Sequence, residues 1–369
     1  MRVLMISKAL VVGAYHKKIE ELAKLGVDLH VVLPQQWGNL FPEIGRPHGY
    51  RIHVLRCILH GKNHFHVYRG LERLLDEVGP DLVHIDEESY STVTFQAMRM
   101  AAKRSIPALF FNWQNILKRF PFPFSFFEKY AFRHAKAAIA GNNEARDVLI
   151  QKGCPVPISV IPQFGVDPSV FSPRDVTGFR RDLFGSDVWI VGYGGRLVEE
   201  KGLMVLLEAM VGLPERVRLM VIGNGPLRRR LEEKAGDLKI SGRLKILDHV
   251  ASSEMPGYLN CLDSLVLPSL TRRNWKEQFG RILIEAMACG VPVVGSNSGE
   301  IPHVVGDAGI IVPEGDSVRL REALLRLLEN GKEQKRLAAL GRKRVEEHFT
   351  QQKIARTTFA LYQSILQCA

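Results

Sequence analysis

Cysteine is scarce in this chain of 369 residues: five, at 57, 154, 261, 289 and 368, odd in number and without a C-x-x-C pair. That argues against a disulfide framework or a zinc site and fits a reducing cytosol. No apolar run approaches the roughly 18 residues that a spanning helix needs. The opening stretch, 1–14, faintly mimics a secretory leader, but Lys8 interrupts its apolar core, and 1–6 reads as the buried first strand of mature sequence. Low-complexity tracts and short internal repeats are missing. No G-x-G-x-x-G follows the first strand, which disfavours a Rossmann dehydrogenase. No D-x-D pair suggests a metal; Asp86-Glu87-Glu88 is acidic but lacks that spacing.

What is present is a globular composition, 46% hydrophobic and 24% charged, long enough for two domains. The net charge of +11 calls for a partner: an anionic nucleotide, a nucleic acid or an anionic membrane surface. No zinc finger, arginine tract or RNA-binding signature supports nucleic acid. The stretch 118–136 favours a membrane, because Lys118, Arg119, Lys129, Arg133 and Lys136 outnumber Glu128 and are interleaved with aromatics. Equally, Phe126, Phe127, Tyr130 and Phe132 can belong to a core.

Short apolar runs alternate with helical patterns throughout, as in β-α-β units with parallel sheets. In the first half the strands are expected at 3–6, 29–33, 82–85, 108–111, 137–140 and 158–161, with helices at 15–25, 92–103, 126–134 and 144–152. The rhythm restarts with strands at 189–192, 218–222, 244–247, 264–267, 291–294 and 309–312, and helices at 203–210 and 227–235. Between the two lies a Pro/Gly-rich stretch, 161–168, that reads as a hinge. The fold class is therefore α/β, with a first Rossmann-like domain at 1–165 and a second at 166–351.

The densest chemistry surrounds Glu277 and Glu285, eight positions apart across Gly280. Residues 281–288 read as a short amphipathic helix with Gly290 as its C-terminal cap. Glu277 then lies in the loop before it and Glu285 in its second turn. Backbone N–H groups at about Phe279, Gly280, Arg281 and Ile282 would open the helix and attract a phosphate. A sugar joined to a nucleotide suits this arrangement: Glu277 on sugar hydroxyls, the helix start on phosphate, Glu285 on ribose. Arg196 and Lys201 follow a strand ending in glycines, where two cations suit a pyrophosphate.

Four segments in order resemble the retaining glycosyltransferases of family 4. They are Gly195-Arg196-Leu197 with Lys201-Gly202, the turn Gly223-Asn224-Gly225-Pro226, Leu267-Pro268-Ser269, and the E-x7-E pair Glu277 and Glu285. The resemblance is strong from 188 to 316 and looser elsewhere. It implies the GT-B fold, two Rossmann-like domains facing each other across a cleft, with a last helix, 352–369, packing back on the first. The implied reaction moves a hexose from a nucleoside-diphosphate sugar, UDP- or GDP-linked, to an acceptor hydroxyl with retention, without metal or cofactor. Arg196, Lys201 and Glu277 would then be catalytic, and Gly195, Gly225, Gln278, Phe279, Gly280, Arg281, Ile282 and Glu285 would bind the donor. Asp248-His249-Val250 could line the base.

The first half departs from that family. Its usual Gly-Gly pair is represented only by Gly13, and Asn112 stands where a histidine is common, so that position cannot titrate near neutral pH. Gly13, Glu87 and Asn112 are the acceptor-side candidates, with Glu88 beside them. His84 reads as a core histidine, and His64 and His66 as a strand or loop edge. The acceptor would be a sugar, glycan or lipid-linked glycan met in the cytoplasm, at the inner face of the membrane. A GT-B sugar-nucleotide epimerase and a non-catalytic binding module for membrane or nucleic acid are the rival readings.

Overall fold

The computed structural model describes residues 1–45, 48–248 and 250–367. The chain forms two units, one of Met1–Phe164 joined by the chain from Gln351 onward, the other of Gly165–Thr350. The first carries β1 (Arg2–Ile6), β2 (Asp28–Pro34), β3 (Tyr50–Leu55), β4 (Cys57–Ile58), β5 (Val67–Tyr68), β6 (Leu82–Ile85), β7 (Ala108–Asn112), β8 (Ala137–Ala140) and β9 (Ile158–Val160). Between them run α1 (His16–Lys24), α2 (Leu71–Val78), α3 (Thr92–Lys103), α4 (Phe124–His134) and α5 (Asn143–Gln151). Seven strands make one parallel sheet in the order β3-β2-β1-β6-β7-β8-β9, while β4 and β5 pair antiparallel.

The alternation of strand side chains explains why these strands are apolar throughout. Val3 and Met5 face Ile19 and Leu22 of α1, whereas Leu4 and Ile6 face Leu71, Leu75 and Val93 of α2 and α3. Both faces of a parallel sheet are covered, so neither register of the pleat can be polar.

In the second unit the strands are β10 (Trp189–Gly194), β11 (Val217–Ile222), β12 (Leu244–Leu247), β13 (Ser264–Leu267), β14 (Val293–Ser296) and β15 (Ile310–Val312). Its helices are α6 (Thr177–Phe184), α7 (Leu203–Val211), α8 (Arg228–Asp237), α9 (Met255–Asn260), α10 (Arg281–Ala288), α11 (Ile301–Val305), α12 (Ser317–Glu329) and α13 (Gly331–His348). All neighbours in the order β12-β11-β10-β13-β14-β15 are parallel. Strand order reverses beside β10, the place where open α/β sheets leave a crevice at their carboxyl ends.

Two differences from the sequence reading have clear causes. The strand expected from 291 starts at Val293, because the Val291 N–H is spent on Ala286 of the preceding helix. Strand β3 went unread because Arg51 and His53 break the apolar run, as an edge strand permits.

The last helix, α14 (Gln351–Gln367), packs on α1 and completes the first unit's core with Ile354, Ala355, Tyr362 and Ile365. Its Tyr362 hydroxyl lies 2.6 Å from His84 Nδ1, both groups buried. Burial lowers the His84 pKa to about 3, so the ring is a neutral core histidine. Where the chain leaves this unit, the Gln163 carbonyl accepts from Lys18 Nζ at 3.2 Å and its side chain from Trp113 Nε1 at 2.8 Å. In the second unit, Val166 N–H donates to Phe349 at 2.9 Å.

Replacing Tyr362 by Phe strands the buried His84 nitrogen without its hydroxyl. We expect urea titration to show a loss of about 1–3 kcal/mol in unfolding free energy, the cost of an unmade buried hydrogen bond. Unchanged stability would mean that the hydroxyl contributes nothing to docking α14.

Candidate active site

Helix α10 is bounded by two glycines for different reasons. At Gly280 (φ +76°) a Cβ would sit 2.8 Å from a Leu267 methyl and 3.0 Å from a Leu283 methyl, so the helix start needs glycine twice over. At the other end Gly290 N–H bonds Met287 at 3.0 Å and Val291 N–H bonds Ala286 at 3.0 Å, the paired closure of a Schellman motif. The buried Glu285 is held by Arg281, Nε to Oε1 at 2.9 Å, one helical turn away. Burial raises the Glu285 pKa above the ordinary glutamate value, with Arg281 opposing.

Glu277 reaches back from the loop before α10 to the loop after β10. Its Oε2 accepts from Lys201 Nζ at 2.5 Å and from Ser269 Oγ at 2.8 Å, and it too is buried. Lys201 also lies 5.1 Å over the Trp275 ring, an added attraction for the ammonium. Arg196 is more open, with its nearest carboxylate, Glu200, at 3.9 Å. The loops after β10 and β11 touch backbone to backbone: a Cβ on Gly223 would fall 1.9 Å from the Gly195 carbonyl oxygen.

These groups enclose one cavity of about 440 Å³. Arg196, Lys201 and Glu277 line it, as do Gly195, Gly280, Arg281, Ile282 and Glu285. Three expected donor contacts do not. Gly225 N–H is bonded to the Asn224 side chain at 2.7 Å, Gln278 is exposed, and Phe279 is buried against Phe349 with centroids 5.7 Å apart. Asn224, Val250, Ser252 and Met255 complete the wall instead. Ser252 and Met255 carried no motif; they arrive because the loop after β12 folds over the carboxyl end of β11. Asp248 is ion-paired to Arg228, and His249 lies outside the described residues.

In the first unit the acceptor-side candidates are placed differently. Gly13 N–H donates to Glu43 Oε2 at 2.7 Å, in a depression of about 420 Å³ shared with His16 and Tyr50. Glu87 is buried, one oxygen accepting from Lys8 N–H at 3.1 Å and the other paired with Lys8 Nζ. Asn112, buried as well, accepts from Ser89 Oγ at 3.3 Å. No hydrogen bond joins the three. The sequence weighed Glu88 with Glu87, and the structure separates them. Glu88 is half-buried and takes the Trp113 N–H at 3.0 Å on Oε1, while its Oε2 is shut away without a partner. Burial lifts its pKa to about 7. His66 is fully buried beside Trp37, with ring centroids 4.7 Å apart, and His64 faces Tyr90. Cys57, Cys154, Cys261 and Cys289 are unpaired thiols; Cys368 lies outside the described residues.

The basic aromatic segment is partly packed into the first unit and partly exposed. Phe132 is buried against Phe110, and Phe127 and Tyr130 pack on Phe95 at 4.6 and 5.0 Å. Leu117, Phe122 and Phe126 are exposed at 54%, 81% and 48%. Phe65, also exposed, meets Phe124 edge to face at 4.9 Å.

Two family models match the chain, one in each unit: Glycosyltransferase Family 4 over residues 16–170 and Glycosyl transferases group 1 over 179–344. Among curated relatives, the D-inositol 3-phosphate glycosyltransferase of Stackebrandtia nassauensis is 31% identical over 229 residues, 58% of this chain and 50% of that protein. The MMP alpha-(1->4)-mannosyltransferase of Mycolicibacterium hassiacum is 27% identical over 93% of this chain and 80% of its own length. The chain spans about half the length of the first curated relatives that it matches. Anabaena HepE in complex with UDP superposes with a TM-score of 0.81 at 20% identity, covering 99% of this chain and all of that one. Sucrose-phosphate synthase from Thermosynechococcus elongatus gives 0.77 at 20% identity over the whole of both chains. The fold shared with these structures is GT-B.

Glu88 yields a pH signature. Its native pKa of about 7 stands above the ordinary 4.5, so the folded state holds the proton more tightly and stability falls as pH rises through that window. Relative to Glu88→Gln, the wild type should be equally stable near pH 4.5 and weaker above pH 7 by up to about 3 kcal/mol. Parallel denaturation curves at pH 5 and pH 8 read the difference; a constant gap between the two proteins contradicts the buried, proton-holding carboxyl.

Proposed function

The chain belongs to the group 1, family 4 glycosyltransferases, and from that membership we propose that it moves a hexose from a nucleoside-diphosphate sugar to an acceptor hydroxyl, with retention and without a metal. The observation that carries this reading is a single cavity in which two strand-end cations, a helix amino end and two partnered glutamates converge.

Each group has a task that its chemistry suits. Arg196 and Lys201 take the diphosphate and stabilise the charge that builds on it as the sugar leaves. The amino end of α10, at residues 280–282, adds its dipole to the same phosphates. Glu285 binds ribose hydroxyls, with Arg281 opposing the rise in its pKa that burial causes. Glu277, whose Oε2 is still held by Ser269, turns to the hexose hydroxyls when phosphate draws Lys201 away. In the transfer step the bond from C1 to the departing phosphate oxygen breaks. The bond from C1 to the acceptor oxygen forms on the same face, and the acceptor proton passes to the leaving diphosphate. No covalent nucleophile is required, and the cations stand where a divalent ion would otherwise act.

The donor base is uracil or guanine: HepE is solved with UDP and with UDP-glucose, and one relative is named as GDP-mannose-dependent. For the acceptor we infer a glycan or lipid-linked glycan, selected by the first unit and met at the cytoplasmic face of an anionic membrane. Among the described residues no helix is long and apolar enough to cross a membrane. The exposed Leu117, Phe122 and Phe126, set among Lys118, Arg119, Lys129 and Arg133, suit shallow insertion into a headgroup layer instead.

A melting-temperature screen with UDP, GDP, ADP and their hexose conjugates tests the donor. One nucleotide family should raise the midpoint in wild type with EDTA present, and the rise should vanish in Lys201→Ala. A donor turned over without any acceptor would replace the transferase by an epimerase; no shift at low salt would sink both. Separately, sedimentation with phosphatidylglycerol vesicles should fall at least about fivefold in Phe122→Ser/Phe126→Ser, given the apolar area withdrawn from the headgroup layer. Undiminished sedimentation would leave those aromatics without a membrane role.

A further inference from the structure

A second concave site lies in the same unit, at the opposite end of β11 from the cavity described above. It has about 260 Å³ and is walled by Leu183 and Phe184 at the end of α6, Arg218 at the start of β11, and Arg243 and Lys245 at the start of β12. From Arg218 to Ile222 the strand advances roughly 13 Å at about 3.3 Å per residue. The two cavities therefore share one strand and none of their walls.

The charges here are all of one sign. Arg243 is only 6% exposed. Its Nε donates to the Val217 carbonyl at 3.0 Å, and its Nη1 is 4.0 Å from Glu215, too far for a hydrogen bond. Its Nη2 is buried with no partner. Arg218 spends Nη1 on the carbonyls of Glu215 and Val217, and Lys245 donates to the Leu183 carbonyl at 2.9 Å. Among the described residues neither of these two cations has a carboxylate partner. Burial lowers the Arg243 pKa, Glu215 opposing and Arg218 adding to the fall.

An unsatisfied guanidinium nitrogen buried beside two more cations is costly unless something negative completes it. The Glu215 carboxylate, itself exposed, stays 4.0 Å from Nη1, and Nη2 has no partner. A tetrahedral oxyanion could complete it: it can accept two bonds from the fork of Arg243 and one from each neighbour. The volume falls below the range usual for drug-sized ligands, which leaves room for a phosphate and a small carrier.

We propose that this cavity is a second anion site, which holds the phosphate of a small phosphorylated solute on Arg218, Arg243 and Lys245. It is independent of the donor reading, since no residue is common to both.

The test is calorimetric titration with inorganic phosphate against chloride of equal ionic strength, on the full chain. Arg196→Ala/Lys201→Gln removes the donor cavity's cations and should retain one equivalent of phosphate binding. Arg218→Ala/Lys245→Ala, changed only at partly exposed positions, should bind at least about tenfold more weakly, a loss near 1.4 kcal/mol. Arg243→Met should melt at or above the wild-type temperature and show no phosphate response; if it does not fold, the Arg218/Lys245 variant decides alone. Phosphate binding that survives Arg218→Ala/Lys245→Ala, or that disappears in Arg196→Ala/Lys201→Gln, overturns the proposal. So does the absence of phosphate binding together with loss of phosphatidylglycerol-vesicle binding in Arg218→Ala/Lys245→Ala, which would make the cluster a lipid-facing patch.

Discussion

The contact between Lys201 and Glu277 organises the second unit's cavity. It joins a loop that follows one strand to a loop that precedes a helix of another β-α unit, across 76 positions of sequence. Neither partner tolerates isolation at this depth, because a buried charge without its counterion costs more than the pair returns. The same alternation recurs one turn into α10, where Arg281 faces Glu285. The cavity is thus a chequerboard of opposite charges. Under the proposed function, a diphosphate competes for the cations, and sugar hydroxyls compete for the carboxylates. A ligand that carries both kinds of group exchanges two ion pairs for two sets of charge-assisted hydrogen bonds, which an inorganic phosphate or a free sugar cannot do.

The first unit follows another logic. At the carboxyl end of β6, Asp86 accepts from Ser7, Glu87 is closed by Lys8, and burial lifts the Glu88 pKa to about 7. Asn112 is also buried and bonded, and its amide supplies no titrating group. If this unit selects the acceptor as proposed, shape and the loops are left to do it, the part of such folds that varies most freely.

Much of the architecture was legible in advance because parallel strands buried on both faces declare themselves as short apolar runs. The helix at 281–288 was readable to the residue, since Gly280 and Gly290 mark backbone conformations that other residues adopt poorly. Lys201, Glu277 and Glu285 were found through spacing, which survives because each sits a fixed distance from a strand end or helix start. Ser252 and Met255 were not found: they reach the cavity by the course of an irregular loop, which leaves no periodicity. Gly225 and Phe279 show the converse, motif positions that do not line the cavity. The cationic cavity by β11 was invisible for a related reason. Arg218 and Lys245 read as the polar ends of two strands, and only register between β11 and β12 brings them together.

The final helix has a consequence for the order in which the molecule can be made. The second unit is one uninterrupted stretch of chain, whereas the first borrows Ile354, Ala355, Tyr362 and Ile365 from beyond it. On a ribosome that releases the amino terminus first, the early half emerges with the groove over Ile19 and Leu22 still open. It must wait through the synthesis of an entire neighbouring unit before α14 can fill that groove. The half that begins first is finished last, and during that interval its apolar seam is the surface most in need of a chaperone.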